Sequence, residues 1–252
     1  MVRLGQNFLA DRNLLEAIVR EAGLDRDDVV LEVGAGEGVL TAELARVGVA
    51  VHAVELDERL RPGLELLALE HDQVALHFGD ALRLDLGALD PAPTAMVANL
   101  PYSIATPLIL RTIAELPSVE RWTVMVQREI ADRIRAEPGT KAYGSPSVIV
   151  QLACEVRILR KVDRAVFTPR PRVDSALLRL GRTGPAASEW TSRVVRGAFA
   201  HRRKALARSL EHAGVAERMA ARSALQQLGL AEDARAERLT PTQFAELAER
   251  LR

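Results

Sequence analysis

The run Asp28-Val29-Val30-Leu31-Glu32-Val33, broken by Gly34-Ala35-Gly36-Glu37-Gly38, constrains this chain more than any other stretch. A short apolar run bounded by turn residues suits a strand buried on both faces. Such strands belong to parallel sheets covered by helices. Glycines let the backbone turn tightly and come close to a ligand. A helical pattern begins near Leu40 and Thr41. Strand, glycine turn and helix make the first unit of a nucleotide-binding α/β sheet, and the free N–H groups at the helix start can face an anion. The spacing is G-x-G-x-G, whereas a dinucleotide fingerprint places its third glycine one position later. It fits an S-adenosylmethionine loop better than a dehydrogenase loop.

Further apolar runs carry polar residues at their C-terminal ends, where open α/β sheets place ligands. Val49–Val54 leads into Glu55-Leu56-Asp57. Glu55 lies about 20 residues beyond the glycine turn, where an acid reaches ribose hydroxyls. Val74–Phe78 leads into Gly79-Asp80-Ala81, and Asp80 can accept from an adenine amine or simply cap a turn. Ala95–Ala98 leads into Asn99-Leu100-Pro101-Tyr102. The Asn99 amide accepts and donates, Pro101 stiffens the loop, and Tyr102 offers a flat face. Together they suit a base presented out of its helix, although Asn-x-Pro-Tyr alone also fits an ordinary strand-end turn. Trp122–Val126 reads as a fifth strand, and Ala176–Leu180 as the strand that closes the sheet. A helix is expected from about Arg12, with Asp11 as its N-cap. Ser147–Val156 reads as a helix or a helix followed by a strand, and Phe167–Ser175 as a stiff basic turn with one aromatic residue.

With 48% apolar residues a large core can form, and no apolar run reaches the roughly 18 residues of a membrane span. No signal-peptide pattern opens the sequence. Cys154 is the only cysteine, so no intrachain disulfide and no zinc site built on cysteines is expected, and the five histidines show no metal-ligand spacing. A cytoplasmic protein without metal is the reading. The net charge is zero but unevenly spread: residues 1–189 carry 22 basic and 27 acidic side chains, residues 190–252 carry 12 and 7. Gly181–Pro185 reads as a linker, and the sequence beyond it holds only helical patterns. Arg193, Arg196, Arg202, Arg203, Lys204 and Arg208 fall in 16 residues without an acid. On one helix Arg196 and Arg203 would share a face with Lys204, which suits contact with phosphates.

Taken as a set, several motifs resemble the small-subunit rRNA adenine N6-dimethyltransferases. They are Gly5-Gln6-Asn7-Phe8-Leu9, Glu32-Val33-Gly34-Ala35-Gly36, Glu55-Leu56-Asp57, Gly79-Asp80-Ala81, Asn99-Leu100-Pro101-Tyr102, Lys141-Ala142-Tyr143-Gly144, Phe167-Thr168-Pro169-Arg170-Pro171 and Val173-Asp174-Ser175-Ala176. Phe199–Leu206 is similar to that family's basic helix start, with His201 where the family usually has Gln.

The resemblance implies a Rossmann-like class I methyltransferase sheet flanked by helices in residues 1–182, and a small all-helical RNA-binding domain in residues 186–252. It implies that Asn7, Leu9, Gly34, Gly36, Glu55, Asp80 and Asn99 line an S-adenosylmethionine site. Asn99, Leu100, Pro101 and Tyr102 would hold the target adenine with Phe167, and Arg202, Arg203 and Lys204 would contact RNA. The implied reaction is dimethylation of two adjacent adenines near the 3′ end of small-subunit rRNA, on the assembling small subunit, by a monomer without membrane attachment. Competing readings are a large-subunit rRNA adenine methyltransferase of the antibiotic-resistance type, a DNA adenine methyltransferase and a non-catalytic ribosome assembly factor.

Overall fold

The apolar runs become the centre of a seven-stranded sheet. The structure, a computed structural model, describes Phe8, Leu9 and residues 11–252. In chain order the elements are β1 (Phe8–Leu9), α1 (Arg12–Ala22), β2 (Val29–Val33), α2 (Val39–Arg46), β3 (Ala50–Glu55), α3 (Arg61–Glu70), β4 (Val74–Phe78), β5 (Ala95–Asn99), α4 (Ala105–Glu115) and β6 (Arg121–Gln127). They continue with α5 (Arg128–Arg135), α6 (Ser145–Ala153), β7 (Cys154–Val162), β8 (Phe167–Thr168), β9 (Ser175–Arg182), α7 (Glu189–Ala200), α8 (Leu206–His212), α9 (Arg218–Gln227) and α10 (Pro241–Arg250).

The sheet order is β4-β3-β2-β5-β6-β9-β7, and β1 pairs separately with β8. Strands β4, β3, β2, β5 and β6 run parallel, whereas β9 runs antiparallel to β6. All of β2 and the middle of β6 are buried, as strands covered on both faces must be. Asp11 caps α1 by accepting from the Leu14 N–H at 3.0 Å, as its position suggests.

Two expectations change. The Ala176–Leu180 run does not close the sheet: β9 is an interior strand, and β7 lies at the edge. Strand β7 is buried only at its ends, Cys154 and Val162, and exposes Arg157, Arg160 and Lys161, so its apolar signal is weak. The basic cluster also leaves the helix. Helix α7 ends at Ala200, and Arg202, Arg203 and Lys204 sit in the turn before α8, so Arg203 does not share a helical face with Arg196. Ser209 produces this stop. Its hydroxyl donates to the Gly197 carbonyl at 2.8 Å and accepts the His201 N–H at 3.1 Å.

The chain divides into two compact units. One contains residues through Ala131 together with Val156–Arg182, and the other contains Asp132–Glu155 together with Thr183–Arg252. Residues 132–155 thus group with the C-terminal helices rather than with their neighbours in sequence. Tyr143 explains why they join the C-terminal helices. It is fully buried, its ring meets Phe199 edge-on at 5.9 Å, and its hydroxyl donates to the Leu239 carbonyl at 2.9 Å. Phe199 in turn packs on Phe244 of α10. Burial pushes the Tyr143 phenol well above its ordinary pKa. Tyr143→Phe keeps the ring and strands the Leu239 carbonyl, so denaturation should report a loss of about 1–2 kcal/mol.

Candidate active site

Strand order reverses between β2 and β5, and ligands of open α/β sheets bind at such a point. The glycine turn leaves β2 there, and Asn99-Leu100-Pro101-Tyr102 leaves β5. The two loops nearly touch. Gly34 has φ +81°, and a Cβ on it would lie 3.1 Å from Pro101 Cδ. Only glycine meets both requirements.

Glu55, at the end of β3, organises the turn. It is buried, and its Oε2 accepts the Gly36 N–H at 2.8 Å. Its Oε1 accepts the N–H groups of Leu56 at 2.9 Å and Asp57 at 2.8 Å. The N–H groups of Gly34 and Ala35 both donate to the Val54 carbonyl. After β4, the Asp80 carboxylate accepts the Leu82 N–H at 2.9 Å. Arg111 of α4 then clamps the loop by donating to the carbonyls of Ala81 at 2.6 Å and Leu84 at 2.8 Å. The Leu100 N–H donates to Met125 on β6. Tyr102 shares a 2.5 Å hydrogen bond with Ser175 at the start of β9. Burial pushes the Tyr102 phenol up, and the Ser175 bond works against that shift.

These residues enclose a cleft of about 220 Å³, lined by Gly34, Gly36, Glu55, Asp80 and Asn99 through Ile104, with Leu56 and Leu82 among its apolar walls. A smaller cavity of about 40 Å³ adjoins Gly34, Gly36 and Asn99 and is lined by Leu9, Leu15 and Glu32. Glu32 was not singled out from the sequence because an acid inside an apolar strand reads as part of the run. Its carboxyl is buried and accepts from Thr41 Oγ1 at 2.6 Å. Burial pushes its pKa to about 8, Thr41 opposing the shift and the neighbouring Glu55 charge adding to it. Arg111 and Ser175 were also missed, since their partners lie 27 or more residues away.

The structure thus brings together Leu9, Gly34, Gly36, Glu55, Asp80, Asn99, Leu100, Pro101 and Tyr102. Asn7 lies outside the described residues. Phe167 does not line the cleft: it is 2% exposed and packs in the apolar core that also contains Leu9, its partner across the β1–β8 pair. The basic residues lie in the second unit. Arg202 is engaged there by the Glu237 carboxylate at 3.2 Å and the Thr140 carbonyl at 3.3 Å. Arg203, Lys204, Arg208, Arg218 and Arg222 line an open cleft of about 380 Å³, with Glu232 as its acid. Among the described residues no three His, Cys, Asp or Glu side chains gather as metal ligands, and no helix is long and apolar enough to cross a membrane.

A parallel sheet with a final antiparallel strand, a glycine turn, a strand-end acid and an Asn-Leu-Pro-Tyr loop at the switch point defines an S-adenosylmethionine-dependent methyltransferase. Comparison with known proteins makes this specific. Residues 2–252 match the family model of ribosomal RNA adenine dimethylase. The ribosomal RNA small subunit methyltransferase A of Rubrobacter xylanophilus is 45% identical over 99% of this chain and 94% of its own. That of Streptomyces griseus is 43% identical over 97% of this chain and 87% of its own. Among solved structures, the 23S rRNA methyltransferase ErmE is 32% identical with a TM-score of 0.70, covering 97% of this chain and 99% of its own. A dimethyladenosine transferase from Plasmodium falciparum shares the fold, with a TM-score of 0.81 at 24% identity over 95% of both chains. The chain belongs to the ribosomal RNA adenine dimethylase family, and its cofactor is S-adenosylmethionine.

The cleft fits that cofactor. Glu55 Oε2 accepts a single N–H, so a carboxylate oxygen keeps capacity for a ribose hydroxyl. Leu56 is apolar yet 51% exposed on the cleft wall, a surface that a flat base would cover. Glu32 supplies a pH-dependent check. Its folded pKa lies above the usual value of 4.5, so the folded state binds more protons than the unfolded state between about pH 4.5 and 8. The contribution is full below that window and is lost as pH rises through about 8. In Glu32→Gln, thermal unfolding followed from pH 5 to pH 8.5 should lose part of the decline seen in the parent chain.

Proposed function

We propose that this chain dimethylates N6 of two adjacent adenines near the 3′ end of small-subunit rRNA, working as a cytoplasmic monomer on the assembling small subunit. The observation that carries the proposal is the Asn99-Leu100-Pro101-Tyr102 loop on the same cleft as Glu55, Asp80 and the glycine turn. In this reading Gly34, Gly36, Glu55 and Asp80 hold S-adenosylmethionine, which supplies an electrophilic methyl group on a charged sulfur. The adenine N6 lone pair is delocalised into its ring, so the amine is a poor nucleophile. The Asn99 side-chain carbonyl and the Leu100 backbone carbonyl accept from the amine and favour its pyramidal, reactive form. Tyr102 gives the extruded base a stacking face. Fixed acceptors placed where charge moves, together with alignment of the reacting atoms, account for the rate. Each transfer releases one N6 proton to solvent, and a monomethylated amine keeps one hydrogen, so a second transfer needs only room for the first methyl. Phe167, buried in the core that also holds Leu9, is left out of this set.

The test is radiolabelled methyl transfer to bare rRNA, assembling small subunits and large subunits, with the products mapped. Transfer to small-subunit adenines should require Asn99. Asn99→Ala should lower transfer by at least about 100-fold, the scale of one lost transition-state acceptor, while cofactor affinity by calorimetry changes less than threefold. Methylation confined to large subunits would favour the reading suggested by ErmE, and transfer by Asn99→Ala within a few-fold of the parent would remove Asn99 from its role.

RNA docking is assigned to the second unit, whose basic cleft suits phosphates. Since Arg202 is held by Glu237 and Thr140, Arg203 and Lys204 carry most of the contact from this turn. Replacing both by Ala should weaken binding of the ribosomal substrate and flatten its log–log salt slope by up to about two units. Cofactor affinity should not change.

A further inference from the structure

The Val173-Asp174-Ser175-Ala176 motif does not line the cleft, and its role in the reaction is not yet assigned. Ser175 opens β9, opposite Gln127 of β6, and is fully buried. A small apolar residue would fill that space, as the buried Ala176 beside it does. A buried hydroxyl instead costs free energy unless it is hydrogen-bonded. Its partner in the structure is the Tyr102 hydroxyl, 2.5 Å away and 73 residues earlier in the chain. The Asp174 carbonyl accepts the Arg128 N–H at 3.0 Å, which anchors this segment to the end of β6.

Tyr102 itself sits on a turn and is only partly buried. A side chain in that setting can leave its rotamer, because staggered wells lie close in energy and exposed residues exchange among them quickly. A hydrogen bond at the tip of the ring removes that freedom. We infer that Ser175 is a positioning residue for methyl transfer, its hydroxyl holding the Tyr102 ring in place as the stacking face for the target adenine. The inference rests on the stacking role proposed for Tyr102. It assigns the motif's serine to the orientation of the acceptor base and leaves the cofactor to other residues.

Full-length Ser175→Ala, Tyr102→Phe and the double variant test it. Each single change cuts the same bond, so each should lower kcat about tenfold, the effect of one net hydrogen bond. The double variant should be no slower than the slower single variant. KM for S-adenosylmethionine should stay within twofold. The chain has two tyrosines, Tyr102 and Tyr143, so carbon-13 tyrosine spectra resolve Tyr102 directly, Tyr102→Phe providing the assignment. In Ser175→Ala the Tyr102 phenol should titrate at higher pH, because the bond that lowers it is gone. Losses that multiply in the double variant, or a Tyr102 titration unmoved by Ser175→Ala, would overturn the inference. If Ser175→Ala fails to fold, full kcat in Tyr102→Phe alone overturns it. Failure of the stacking role itself reads differently: Tyr102→Ala would keep full transfer, while in chains that retain Tyr102 its titration would still move on Ser175→Ala.

Discussion

The Glu55 carboxylate holds the site together. It draws in N–H groups from the turn after β2 and from the end of its own strand. Hydrogen bonds to an ionised group contribute about 1.5–3 kcal/mol each, more than neutral ones. A buried charge with these partners fixes the glycine turn before any ligand arrives. Gly34, at the start of that turn, lies under Pro101, so the order imposed by Glu55 reaches the Asn99–Tyr102 loop by direct packing. Arg111 does the same for the loop bearing Asp80 by gripping its carbonyls. The site is therefore assembled by groups that point away from the cleft as much as by those that line it.

The parts of the site that could be read from the sequence are those whose chemistry is local. An apolar run followed by glycines announces β2 and its turn, and Glu55 and Asn99 stand out because each ends a strand. Residues whose roles come from distant partners could not be read in this way. Ser175 looks like a turn residue until Tyr102 is placed beside it. Tyr143 looks like a loop aromatic until Leu239 and Phe199 surround it. Arg202 reads as one of three equivalent cations, yet Glu237 and Thr140 engage it internally. The basic turn reads as helix in the sequence because the stop involves Ser209, which follows the cluster. Strand β7 was half legible because its outward face is charged, and the edge position that allows this cannot be known before the sheet order is known.

The two compact units differ in physical kind. The first concentrates buried polar groups with short, directional bonds, the conditions under which a small geometric error is costly to catalysis. The second presents cations from a turn and two helices around an open cleft, suited to a ligand recognised mainly by charge. Residues 132–155 link the two in sequence: they leave the sheet after β6, contribute Tyr143 and α6 to the helical unit, and return as β7. A cut between residues 182 and 186 would therefore leave the helical unit without Tyr143 and its ring contacts.

The interior position of β9 also bears on how the chain is made. β6 is complete at residue 127, but the strand that pairs with it begins at residue 175. At 5–20 residues per second, β6 waits roughly 2–10 s for its neighbour during synthesis. For that interval the nascent chain carries an open edge whose core is Trp122, Val124, Met125 and Val126, a template for pairing with other chains. Burial of that edge waits on β9, the sheet strand that comes last in the chain.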